Sequence, residues 1–170
     1  MKPATVSHAA STSSRGRKRS SSSVGITEYF APIKGHRPWR VRLGVGSFLT
    51  FEFGPKLRVN GHEHGSWHLW IYLSDWTLTH AGREVVSSES DRRAISIAVR
   101  RLEEAEFSGI DFKRRTSRTA FSFGDFRLLV TPADYIDEPN QDDHYWLFFM
   151  PEHRVMAVGP CGVEIRRSDA

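Results

Sequence analysis

Residues 88–106, SESDRRAISIAVRRLEEAE, form the only stretch with the repeat of a long amphipathic helix, and nearly everything around it alternates with the period of a strand. Ile95, Ala98, Val99 and Leu102 fall at i, i+3, i+4 and i+7 and make one apolar stripe. Such a helix must be covered on that stripe, and the remaining pattern offers only sheet to cover it. Ser88 with Asp91 three positions later reads as a capping box, and Gly109 stands just past the end. The expected fold is therefore α+β: a mainly antiparallel, aromatic-rich sheet built from two β-meanders around one amphipathic helix.

The strands read as follows. Val41, Leu43 and Val45 alternate with Arg40, Arg42 and Gly44, and residues 48–53 follow as a second strand. Residues 57–65 read as a polar loop around the Asn60-Gly61 turn signal. In residues 67–73, Trp67, Leu69 and Ile71 share one face and His68, Trp70 and Tyr72 the other. Large residues on both faces suggest a central strand. Residues 76–79 return as a fourth strand. After the helix, residues 110–114, 119–123, 126–131, 145–149, 154–158 and 163–165 carry the same alternation. Phe51-Glu52-Phe53-Gly54 and Phe121-Ser122-Phe123-Gly124 each open one half of an internal echo, which is the basis for expecting two meanders.

Charge divides the chain. The net +4 arises from +7 in residues 1–40, where Glu28 is the single acid, and −3 in the rest. Residues 1–24 are Ser-rich and basic, with too little apolar surface to offset the entropy of ordering, and are expected to be a disordered tail. Residues 25–40 form a linker or anchor segment and residues 41–168 a single α+β domain. One cysteine, Cys161, excludes an internal disulfide. No apolar run approaches the roughly 18 residues that span a bilayer, and the N-terminus lacks the apolar stretch of a secretory signal. Cytoplasm is the expected location, with no membrane association.

Residues 43–54, LGVGSFLTFEFG, together with Trp67-His68-Leu69-Trp70-Ile71-Tyr72, resemble small uncharacterised bacterial proteins of this size. The resemblance spans the part from about Trp39 onward and implies an α+β domain; it brings no activity and no site residue. Ile26, Tyr29 and Phe30 also resemble the clamp-binding peptide of replication factors, with Ser23 where that peptide opens on glutamine. Such a peptide would seat three apolar side chains in a groove.

Four constellations could carry chemistry. Asp134, Tyr135, Asp137, Glu138, Asp142 and Asp143 make an acidic loop beside an aromatic strand, suited to a basic partner surface. Arg15, Arg17, Lys18 and Arg19 could hold a nucleic acid through the tail. Lys113, Arg114, Arg115 and Arg118 form a basic hairpin tip to set beside the arginines of the helix. His62, His64 and His68 place three imidazoles within seven residues, but the first two read as loop residues, and no metal or other cofactor is expected. There is no Gly-x-Ser-x-Gly elbow, phosphate loop or dinucleotide fingerprint, so the balance is against an enzyme. The expected function is a non-enzymatic protein-binding module, such as an immunity protein or accessory subunit of a bacterial conflict or defence system. The alternative is a nucleic-acid-associated protein acting through its basic tail.

Overall fold

The computed structural model describes residues 25–59, 61–133, 140 and 142–168. Within them, eleven strands form two antiparallel sheets. The strands are β1 (Arg40–Leu43), β2 (Leu49–Val59), β3 (His62–Ile71), β4 (Ser74–His80), β5 (Arg83–Ser87), β6 (Phe107–Lys113), β7 (Arg118–Phe123), β8 (Phe126–Pro132), β9 (Trp146–Met150), β10 (Arg154–Gly159) and β11 (Gly162–Arg167). One sheet has the order β1-β2-β3-β9-β10-β11 and the other β5-β4-β8-β7-β6. The antiparallel, aromatic-rich α+β architecture is as the sequence implies. There are two sheets, and each takes strands from both halves of the chain.

One core lies between the sheets. Leu49, Phe51, Phe53, Leu69, Ile71, Trp146, Phe148, Met156 and Val158 from the first meet Trp76, Leu78, Phe121, Phe123, Leu128 and Val130 from the second. The strands alternate so that their other face looks outward, as expected for antiparallel sheets with one solvated side. Phe51 and Phe123 stack at 5.5 Å across the gap, and the Trp146 indole donates a 2.8 Å hydrogen bond to the buried Thr119 hydroxyl. That bond satisfies a polar group which would otherwise be costly at this depth.

The expected helix is shorter than its pattern. Helix α1 spans Arg92–Arg100 and continues as a 3₁₀ turn, Arg101–Glu104. Asp91, rather than Ser88, is its N-cap, accepting from the Arg93 and Ala94 amides at 2.9 and 3.2 Å. Ser88 is instead tied to Trp76, donating its amide to the Trp76 carbonyl at 2.8 Å. The apolar stripe of Ile95, Ala98, Val99 and Leu102 is buried throughout, against β1 and β5. Arg92 donates to the Gly44 and Gly46 carbonyls, and Glu103 accepts from the Val41 amide at 2.8 Å. The helix is thereby fastened to the β1 edge.

The anchor segment is a 3₁₀ helix, Ile26–Ile33, whose Phe30 and Ile33 enter the core. Phe30 is 2% exposed and stacks on Phe148 at 4.1 Å. The residues that resemble a clamp-binding peptide thus cover this domain's own apolar surface, and Phe30 is not available to a groove elsewhere.

Candidate metal centre

The outward face of the six-stranded sheet carries the polar residues of interest, and register places them. Arg40 lies opposite Glu52, Glu52 opposite His68, and His68 opposite Phe149, giving one cross-strand row from β1 to β9. The adjacent row runs Arg42, Thr50, Trp70, Leu147. Same-face neighbours in facing positions of antiparallel strands are close enough to interact directly.

His64 joins this row because β2 and β3 are irregular. Both strands extend beyond the expected loop boundaries, so His62 and His64 lie on β3 rather than in a loop, and a β-bulge falls between Phe53 and Lys56. Gly54 sits there with φ of +71°, and a Cβ on it would meet the Trp67 ring at 2.7 Å. Across from it, a Cβ on Gly65 would lie 2.3 Å from the Phe53 carbonyl oxygen, a separation no other residue could tolerate. Extra residues in a bulge bend and twist the strand. The consequence is that His64, four residues from His68, lies with its ring centroid 5.5 Å from that of His68.

Glu52 is the hub. It is 2% exposed, isolated in a strand otherwise occupied by Phe51 and Phe53, and its Oε2 accepts from the Gly65 amide at 2.7 Å. Its Oε1 lies 3.3 Å from the Arg40 guanidinium, 3.2 Å from His68 Nε2 and 3.8 Å from His64 Nδ1. One donor atom from each of Glu52, His64 and His68 falls within 4.8 Å of the others. His64 Nδ1 is buried and has no hydrogen-bond partner. Arg40 also donates to the Glu63 carbonyl and rests over the Trp39 ring at 4.7 Å, which fixes its guanidinium beside the carboxylate.

His68 is 8% exposed, and burial, reinforced by His64 and Arg40, holds its imidazole down at about 3. The ring is therefore neutral at ordinary pH and carries one N–H. The Trp70 indole N–H donates to Nε2, so the ring proton belongs on Nδ1 and Nε2 presents a lone pair. That lone pair is taken up by the indole N–H, and Glu52 Oε1 lies 3.2 Å from the same nitrogen. Two acceptors so placed repel unless a cation lies between or beside them, and Arg40 supplies charge from one side only.

Of the three histidines singled out by spacing, two belong to this cluster. His62 is exposed and lines the same cleft without entering the three-donor group. Sequence reasoning missed Glu52 and Arg40. The available signal was a lone carboxylate in an aromatic strand, but only the strand register sets it opposite His68. Of the acidic loop, Asp134, Tyr135, Asp137 and Glu138 lie outside the described residues, as do Arg15, Arg17, Lys18 and Arg19 of the tail. Asp142 is exposed, and its amide donates to Asn140 Oδ1 at 2.7 Å, while Asp143 Oδ2 accepts from the Asn140 amide at 2.9 Å. Both residues belong to a local turn, and neither joins the three-donor group of Glu52, His64 and His68. Among the described residues no helix is long and apolar enough to cross a membrane. No family model, curated protein or solved structure matches this chain.

Proposed function

We propose that the protein binds a divalent first-row metal ion of the zinc type through Glu52, His64 and His68. The observation that carries this reading is the spacing of donors. A tetrahedral ion with ligand bonds of about 2.0–2.1 Å holds neighbouring donors about 3.3 Å apart. His68 Nε2 and Glu52 Oε1 are 3.2 Å apart, His64 Nδ1 lies 3.8 Å from the same oxygen, and all three donors fall within 4.8 Å of one another. Two imidazoles and one carboxylate suit zinc and its neighbours, whereas calcium and magnesium prefer all-oxygen sites. The carboxylate is oriented by Arg40 and the Gly65 amide, as ligating carboxylates usually are by outer partners. Three protein ligands on an open sheet face leave the fourth position to an exchangeable group.

The test is titration of the metal-free full chain with Co(II), followed by visible absorption and calorimetry. One equivalent of cobalt with the intense band of a four-coordinate ion supports the reading. Loss of no more than a few-fold in affinity when both His64 and His68 are replaced would sink it.

The expected protein-binding module stands as a second reading, favoured by one observation. The same outward face carries an aromatic strip: Phe48 meets Trp70 and Tyr72 edge-on at 5.3 and 5.6 Å, and Trp70 packs on Phe149 at 5.0 Å. Tyr72 is 46% exposed at its margin. Aromatic side chains of this kind anchor protein interfaces. A nuclease-treated pull-down with the wild type and with Tyr72→Glu tests it: a stoichiometric partner captured equally by both would place the interface elsewhere.

A further inference from the structure

We propose that the metal-loaded cleft takes a phosphate group, free or as the end of a monoester, at the position the protein ligands leave open, with Arg42 as its second anchor. This rests on the metal reading above. The cleft holds about 260 Å³ and is lined, besides the three ligands, by Arg40, Arg42, Thr50 and Glu63. The formal charges of the two arginines and of the carboxylates of Glu52 and Glu63 cancel. A divalent ion therefore leaves the cleft with a surplus of two positive charges, enclosed on one side by buried protein. A phosphate or phosphomonoester carries roughly two negative charges at neutral pH, which matches that surplus; a carboxylate or chloride brings one.

The second part of the argument is the state of Arg42. Arg40 is committed to Glu52 and Glu63, and its Nε is buried. Arg42 stands one position along on the same face, directly across from Thr50, and its side chain is exposed at the cleft. No hydrogen bond or ion pair engages its guanidinium among the described residues. A planar fork of donors beside a metal ion is a bidentate seat for phosphate oxygens, and the Thr50 hydroxyl, next to Arg42 in the same row, offers one more donor. Because the cleft is open to solvent at Trp70 and His62, the fourth phosphate substituent is not constrained to be a hydroxyl.

The experiment uses full-length protein loaded with one equivalent of Co(II), titrated separately with inorganic phosphate, phenyl phosphate and acetate, and read by the cobalt band and by calorimetry. The expected result is a saturable shift of the band by phosphate and phenyl phosphate, with acetate at least tenfold weaker. Arg42→Gln should weaken phosphate binding at least tenfold while leaving cobalt affinity within twofold. Tighter binding of phenyl phosphate than of phosphate identifies a monoester as the ligand, and the reverse identifies the free ion. Cobalt binding with no response to either phosphate, acetate binding as well as phosphate, or an unaffected Arg42→Gln variant overturns the inference and leaves the metal site standing. Failure of cobalt to bind overturns both.

Discussion

His68 Nε2 lies 3.2 Å from Glu52 Oε1 while accepting the Trp70 indole N–H, so one imidazole nitrogen is shared between a donor and a second acceptor. That frustrated contact is the centre of the outward sheet face, and most of the expected behaviour follows from it.

Removing the hub should abolish metal binding without unfolding the chain. Glu52→Gln keeps the shape and can still accept from the Gly65 amide, but it loses the anionic ligand. We expect Co(II) affinity to drop ~100-fold or more, with Arg40 losing its carboxylate partner at a cost of about 1–3 kcal/mol in stability. Calorimetry with cobalt and urea unfolding of the same variant separate the two effects.

Trp70 should report the ion. Metal capture of the His68 lone pair displaces the indole N–H from it, and a paramagnetic ion quenches an indole a few ångströms away. Co(II) should therefore quench a component of tryptophan fluorescence that is missing from Trp70→Phe. The same variant frees Nε2 and should bind cobalt several-fold more tightly. Equal quenching in both proteins would remove Trp70 from the account.

Acid should weaken the metal-free fold through His68. Its folded value of about 3 lies below the 6.5 of an unfolded histidine. Between these limits the unfolded chain takes up a proton that the folded chain refuses. The stabilisation is complete above pH 6.5, declines as pH falls through the window, and levels off below about 3, with a ceiling on the order of 5 kcal/mol. Urea midpoints at pH 7.5, 6.5, 5.5 and 5.0, above most carboxylate titration, should fall in the wild type and flatten in His68→Gln.

Two glycines of the β2–β3 hairpin, Gly61 and Gly65, should respond unequally. Gly65→Ala drives a Cβ to 2.3 Å from the Phe53 carbonyl oxygen, and we expect about 3 kcal/mol of destabilisation together with loss of cobalt binding. Gly61, at φ of +81°, has open space where a Cβ would go, so Gly61→Ala should cost only about 1 kcal/mol and leave the site intact. Thermal unfolding and cobalt titration of the pair decide this.

Phe30 should behave as a core residue. It touches Phe107, Phe121 and Trp146 at 5.8–5.9 Å as well as stacking on Phe148, so both sheets feel its loss. Phe30→Ala is expected to cost 3–5 kcal/mol, roughly, by denaturant unfolding. A value near zero would return this segment to the role of a free recognition peptide.

Short-range patterning determined much of this protein without any structure. The stripe Ile95, Ala98, Val99, Leu102 had to be buried, and the alternation in residues 67–73 already set Leu69 and Ile71 against His68 and Trp70, because both follow from the fixed periods of helix and strand. The Asn60-Gly61 signal likewise placed a turn where β2 passes to β3. What tertiary structure decided is which strands became neighbours and where a strand bends. Interleaving the halves into two sheets depends on pairings between distant residues such as Trp70 and Leu147, which local pattern does not encode. The convergence of His64, His68 and Glu52 depends on a bulge at Gly54 and a backbone contact at Gly65 that bring three side chains from two strands onto one point. Spacing along the chain gave the histidines; the β2–β3 register supplied the carboxylate, and the bend brought His64 to it.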